Sequence, residues 1–413
     1  MLNPKTGQRE LAYVVKIGWI HPIEGADNIE LIGINGWTCI AKKGEFKEGD
    51  LAIYFEIDSK LPEKEWSEFL AAKHYKVKTM KLGKFGVISQ GLALPAEAFG
   101  WKFETSGQFA GDTPLIVTNN EKRPFLEEGA FVTEMLGVTY SVEEDNKRKA
   151  PSVDKYKKMA SRHPKIFKKP FVRWLYKYNW GKKLLFLFFG KKKDTRTWPA
   201  WVVKTDEERV QNMPWILQDK EPWYATEKID GTSTTFTMKG RGKKTQFYVC
   251  SRNVVFDTPE KAANCYYDSN VYLEMAEKYN IEEVLKNILS DDLSLEFVTI
   301  QGETYGANIQ KRDYSIKDHD FAVFNVIFGY RDGTTVRLNP GEMTHFIKSF
   351  GLKGVPIVDE HFILPDTIEE LLAIATGNSA LDGKMREGLV FRSKDGVKSF
   401  KAVSNEFLLK YHQ

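Results

Sequence analysis

Hydrophobic and polar positions alternate in short bursts through the first hundred residues: YVVKIGWI (13–20), WTCIAKKG (37–44), DLAIYFEI (50–57) and GVISQGLALP (86–95). Gly33, Gly36, Gly44, Gly49, Gly83 and Gly86 punctuate them. A period of two broken by glycines predicts short strands joined by tight turns, and a run of such strands predicts a small β-barrel. After Trp198 the same alternation returns in longer segments, TTFTMKG, QFYVCSR, LSLEFVTIQG, DFAVFNVIF and GLVFRSK. Helical spacing appears near 260–290, 341–350 and 367–376, where Asp366-Thr367-Ile368-Glu369-Glu370 is a helix-start signal. Strands predominate and suit antiparallel pairing, so the fold class is α+β.

Between these regions the pattern changes character. From Lys147 to Arg196 there are 18 Lys or Arg and two acids, while the whole chain carries only +4. Trp174, Tyr176, Tyr178 and Trp180 are interleaved with the cations. Three parts follow: 1–110 as an OB-fold-like nucleic-acid-binding domain, 111–197 as a basic, aromatic-rich connector with one or two short helices, and 198–413 as a catalytic domain. A small barrel of another kind, without a ligand, fits the first region too. Charge segregated this strongly points to a polyanion, nucleic acid ahead of an anionic membrane; a merely soluble basic linker is the alternative. The aromatics supply stacking faces for bases, or FLFFG (186–190) anchors the connector on its neighbour.

Composition bounds the rest. With 413 residues, 42% hydrophobic and 28% charged, the chain supports two domains and is not disordered. Cys39, Cys250 and Cys265 form no CxxC pair, so neither a disulfide framework nor a zinc site is expected. No signal core opens the sequence, and Leu184–Phe189 is too short to span a bilayer. The expectation is a cytoplasmic protein with no membrane role and no obligate protein partner.

The candidate chemistry centres on Glu227-Lys228-Ile229-Asp230-Gly231. By itself the Lys-x-Asp-Gly match within it is weak, and a surface turn explains it equally well. The strand-like ATEKID before it and the small GTSTTF after it describe a lysine ending one strand and a glycine turn into the next, where a phosphate can come close.

The ordered series TEKIDGTS (226–233), CSRN (250–253), IQGETYG (300–306), FAVFNVI (321–327), REGLVF (386–391) and SFKAVSN (399–405) resembles motifs I, Ia, III, IIIa, IV and V of covalent nucleotidyltransferases. QGETYGANIQ, SFKAVSNEFLLK and WPAWVVKTDEERVQNMP (198–214) resemble the Deinococcus-type RNA ligases most, as does an OB-like domain placed before the catalytic one. The resemblance implies an N-terminal OB domain, an ATP-grasp-like nucleotidyltransferase domain, ATP with Mg²⁺ or Mn²⁺, and an RNA or RNA–DNA nicked duplex as substrate. It implies Lys228 as nucleophile, with its pKa lowered by burial and neighbouring positive charge. Lys401 would contact the α-phosphate, with Lys398 as a second lysine, although KSFKA departs from the usual K-x-K. Glu387 and Glu303 would face the metal, Glu303 also the ribose, and Arg252 the ribose and nick. Phe324 would stack on adenine and Glu227 would accept from its amino group. Asp230 and Gly231 complete the nucleotide-binding motif. Glu296 competes for the role of Glu303, and Phe324 is alternatively a plain core residue. Two other functions remain open on the residues: a GTP-using capping-type transferase, and a non-catalytic RNA-binding protein on the same scaffold.

Overall fold

The computed structural model describes residues 1–105, 113–140, 164–167, 169–189, 198–256 and 270–411. They form two compact units, one of Met1–Thr139 with Ala200–Gln413 and one of Tyr140–Pro199.

The N-terminal part of the first unit is built from the predicted alternating segments. Ala12–Lys16, Leu51–Phe55 and Leu92–Pro95 form one antiparallel sheet; Trp19–Pro22, Ile29–Ile34 and Trp37–Lys42 form another. Their inward positions, among them Val15, Ile32, Ile34, Trp37, Cys39 and Tyr54, make one buried core. The N-terminal body runs beyond residue 110. Lys102–Glu104, Leu115–Val117 and Phe125–Leu126 continue an antiparallel ladder, and the Thr133 hydroxyl accepts the Leu11 and Ala12 amides at 3.0 and 3.1 Å. Backbone pairing also ties residues 129–132, which the sequence gives to the connector, to the first strand: the Val14 amide donates to the Ala130 carbonyl and the Val132 amide to the Ala12 carbonyl, each at 2.9 Å.

The C-terminal part consists of two antiparallel sheets. The first has the order Ile357–Phe362, Trp223–Lys228, Gly388–Ser393, Ser399–Val403. Trp223, Ala225, Leu389, Phe391, Phe400 and Ala402 turn to one face and are buried against the helix Ile368–Ala375. That helix starts where expected, with the Thr367 hydroxyl accepting the Glu370 amide at 3.3 Å. The second sheet has the order Gln246–Cys250, Thr232–Lys239, Leu295–Gly306, His319–Tyr330, Thr335–Arg337. Its apolar face, including Phe236, Met238, Val298, Ile300 and Phe321, packs on helices Val271–Lys278, Ile281–Asp291 and Pro340–Ser349. The helical stretch near 260–290 is thus two helices, broken at Asn280, whose φ is +48°; residues 260–269 lie outside the described ones.

A strap running from Trp201 to Arg209 joins the two sheets on the side away from their cores. Gln301 Nε2 donates to the Val203 carbonyl at 2.7 Å, Thr205 and Ser233 share a 2.6 Å hydroxyl contact, and the Lys401 amide donates to the Glu208 carbonyl at 2.7 Å. The N-terminal body docks where the strap ends: the Gly36 amide donates to Glu369 at 2.8 Å and Gln211 Nε2 to the Gly36 carbonyl at 3.3 Å.

The second unit contains helices Pro164–Phe167, Pro170–Lys177 and Asn179–Phe189. Leu175 and Leu185 are its buried centre, packed by Phe167, Val172, Tyr176 and Phe186. Gly181 is required at the corner, because a Cβ there would lie 2.1 Å from the Leu175 carbonyl oxygen. Among the described residues no helix is long and apolar enough to cross a membrane.

Candidate active site

Alternation along the first sheet sorts its residues into two sets. While Trp223, Ala225, Leu389 and Phe391 enter the core, Thr226, Lys228, Val390, Arg392 and Lys401 turn to the other face and line a cleft of about 370 Å³. The second sheet supplies Ser233, Glu303 and Phe324 to the same cleft, and the strap supplies Thr205, Asp206 and Glu207. Residues far apart in sequence thereby meet.

Lys228 ends its strand opposite Gly388, so Glu387 stands directly before its register partner. Lys228 Nζ and Glu387 Oε2 are 2.7 Å apart, with the two side chains 25% and 9% exposed. Burial alone would lower the lysine pKa, but Glu387 and Glu303 outweigh it and hold the amine above its usual value. This reverses the expected lowering: the chain's own groups here are mainly carboxylates. Glu303 is pushed up to about 8 by burial, opposed by Lys228 and reinforced by Glu387 and Asp230. Among the described residues no three His, Cys, Asp or Glu side chains converge to cage a metal.

The turn after Lys228 is tightly enclosed. A Cβ on Gly231 would lie 2.4 Å from the Thr304 carbonyl oxygen and 2.9 Å from Glu303 Cγ, so glycine is needed for the strand crossing itself. The Asp230 amide donates to the Tyr314 hydroxyl at 2.6 Å, and Asp230 is buried. Glu227 has the parity of Trp223 and Ala225, but at this end of the strand it meets the loop 377–386. Its Oε2 accepts the Ala380 amide at 2.9 Å, whereas its buried Oε1 has no hydrogen-bond partner. Burial raises the Glu227 pKa. From within that loop, Asp382 forms an enclosed ion pair with Arg312 at 2.6 Å.

Phe324 reaches the cleft through a bulge. Gln301 faces Asn325 while Gly302 faces Val323, which leaves Phe324 as an extra residue between two ladder pairs. Bulges re-aim a side chain and free its backbone groups. The ring lines the cleft beside Ile229 and Val355, and its carbonyl accepts from Arg392 Nη1 of the other sheet.

Arg252 and Lys401 meet on one acid: Asp206 Oδ2 is 2.6 Å from Arg252 Nη2, and its Oδ1 is 3.3 Å from Lys401 Nζ. Lys398 does not join them. Its Nζ pairs with Asp219 at 2.6 Å, outside the cleft. The reason is spacing: K-x-K sets two lysines on one face of a strand, while the three-residue interval of KSFK sets them apart. Glu296 is also elsewhere, paired with Lys239 at 2.8 Å. Sequence reasoning missed Asp206, Glu207 and Arg392 as cleft residues. For the two acids the available signal was the resemblance of 198–214 to the segment preceding the lysine motif.

The family model described as RNA ligase matches residues 221–412, and one described as an OB-fold domain matches residues 11–96. A Naegleria gruberi RNA ligase variant solved with AMP and Mn is 29% identical, with 98% of this chain and 99% of that one covered and a TM-score of 0.60. Residues 221–412 thus match the RNA ligase family, and the chain is similar to these ligases over nearly its whole length. The same Naegleria gruberi ligase solved with PPi aligns at 29% identity, 98% and 99% coverage and TM-score 0.59. A further variant with ATP and Mn gives 29%, 98% and 100%, and 0.59. Among curated proteins this chain finds no match. Residues 11–96 of its N-terminal body are thus an OB-fold domain. The described strands of that domain pair into separate ladders around one core.

Proposed function

We propose that this ligase uses ATP to seal RNA 3′-OH to 5′-phosphate ends at nicks in duplexes. The observation that carries the reading is the convergence of Lys228, Glu303, Phe324 and Lys401 on one cleft, with Glu387 2.7 Å from the Lys228 amine. Lys228 Nζ attacks the α-phosphorus, forming an N–P bond as pyrophosphate leaves. AMP then passes to the 5′-phosphate end, and the 3′-OH displaces it to form the phosphodiester.

The residues present fit these ligands. The unpartnered Glu227 Oε1 is a buried acceptor that the adenine amino group satisfies, and the Phe324 ring gives the base a stacking face. Lys401 approaches the α-phosphate and Arg252 the ribose, each exchanging its bond to Asp206 for substrate oxygens. Glu387 and Glu303 would hold the divalent cation, Mg²⁺ or Mn²⁺. Two carboxylates and no closed cage suit an ion that keeps its waters and shares substrate phosphates. When bound, the cation neutralises charge on the phosphates and the two glutamates. With those carboxylates engaged, the Lys228 ammonium would give its proton to solvent, leaving the neutral amine that nucleophilic attack requires.

Incubation with α-labelled ATP and Mg²⁺ labels the protein, GTP does not, and Lys228→Ala abolishes the label. Labelling that persists in this variant overturns the nucleophile. Sealing across four nicked duplexes, RNA or DNA on each side, tests the substrate: sealing must require RNA on the 3′-OH side.

A further inference from the structure

Within Tyr140–Pro199, four large rings are turned outward. Phe171 is 68% exposed, Trp174 47%, Tyr178 45% and Trp180 56%. They are not scattered. Ring centroids lie 6.1 Å apart for Phe171 and Trp174, 5.4 Å for Trp174 and Tyr178, and 6.3 Å for Tyr178 and Trp180. Phe171 and Trp174 fall at helical spacing on one side of Pro170–Lys177, and Tyr178 follows as the residue that caps its C-terminus. The other side, with Val172, Leu175 and Tyr176, meets Leu185 and Phe186. The unit's own core is thus satisfied without the four rings, which form a continuous exposed aromatic surface of a kind that soluble proteins keep small unless it binds something.

The surroundings say what. Lys169, Arg173 and Lys177 on the same helix and Lys183 on the next are exposed. No acid occurs between Asp154 and Asp194. An aromatic surface inside a purely cationic segment is complementary to a polyanion that also carries flat apolar faces. The chain's substrate class, RNA, has that chemistry. Bases already stacked in a helix have no free face to offer, so the match is to unpaired nucleotides.

We infer that the Phe171–Trp174–Tyr178–Trp180 surface is a second RNA-binding site, which stacks the bases of a single-stranded stretch while the flanking lysines and arginine pair with its phosphates. The site rests on the ligase reading for its ligand but not for its geometry, and it takes no part in the reaction with ATP.

The test uses the full chain and a 5′-labelled single-stranded RNA in a filter-binding titration. Trp174→Ala/Trp180→Ala weakens binding about tenfold or more, since each lost stacking contact is worth a few-fold to a hundredfold. Trp174→Phe/Trp180→Tyr, which keeps two rings, restores most of it. Arg173→Gln/Lys177→Gln weakens binding mainly at low salt and flattens the salt dependence. All three variants keep wild-type labelling by α-labelled ATP, which shows that the catalytic domain is folded. Undiminished RNA binding by the ring-deleted variant overturns the inference. So does loss, in that variant, of binding to phosphatidylserine-containing vesicles rather than RNA. Absence of labelling in the wild-type chain would instead count against the ligase reading and leave the RNA titration to stand alone.

Discussion

Lys228 Nζ is held 2.7 Å from Glu387 Oε2, so the proposed nucleophile and the carboxylate proposed to face the metal neutralise one another in the absence of other charges. A lysine kept protonated in this way cannot attack, and the pair must be separated before chemistry begins. Chelating divalent cations therefore abolishes labelling by α-labelled ATP, and added Mg²⁺ or Mn²⁺ restores it. Glu387→Ala loses about a hundredfold or more in labelling rate, of the order one metal-directed carboxylate supplies. Full labelling in the presence of chelator would contradict this account.

The strap depends on one amide side chain. Gln301 Nε2 donates to the Val203 carbonyl and Gln301 Oε1 accepts from Asn325 Nδ2 at 3.1 Å, both within a buried polar ladder. Gln301→Leu leaves two partners unsatisfied and costs about 1–3 kcal/mol. Because Asp206 and Glu207 belong to the strap, the variant also raises KM for ATP. Limited proteolysis between 201 and 209 and steady-state labelling measure the two effects, and unchanged cleavage there would refute the coupling.

Arg312 and Asp382 are 2% and 3% exposed, and the guanidinium lies 4.2 Å from the Tyr314 ring centroid. Asp382→Ala strands a charge that cannot reach water, at a cost of about 3–5 kcal/mol. Asp382→Asn costs less, since one hydrogen bond survives. Urea denaturation of the three proteins gives the order; equal midpoints would show that the pair is not effectively buried.

Asp320 yields a pH dependence. Burial pushes its carboxyl up, but Lys353, Tyr279, the Phe321 amide and Lys278 together hold it below the ordinary aspartate value. Folded below unfolded means that its contribution is complete above an unfolded pKa of about 3.9 and is lost as pH falls through the folded value. Asp320→Asn is accordingly less stable than wild type at pH 7, by about 1–3 kcal/mol. The difference shrinks in acid, below about pH 4. Urea midpoints across that range check it, and a gap that widens in acid would reverse the assignment.

Much of the site is visible in the sequence because the strand pattern and the ordered motifs coincide. Lys228, Glu387 and Lys401 sit on alternating segments whose intervening apolar residues, Leu389, Phe391 and Phe400, announce which face is buried. What escapes is decided by long-range register. Asp206 and Glu207 are ordinary surface acids until the strap pairs with Lys401, and Arg392 looks like a solvent-facing strand residue until its guanidinium crosses to the Phe324 carbonyl. Charge sign alone likewise does not tell that three carboxylates dominate the surroundings of Lys228. The N-terminal domain extends past residue 110 because short strands such as Phe125–Leu126 leave too little pattern to recognise.

Phe324 is a supernumerary residue in its strand, and this separates two properties that usually travel together. Deleting it brings Val323 and Asn325 into step against Gly302 and Gln301, removing the ring while restoring an uninterrupted ladder. Substituting it keeps the offset and empties only the ring's place. The aromatic face of the cleft is thus carried as an insertion, so chain length at this point, and not only residue identity, tunes what the cleft accepts.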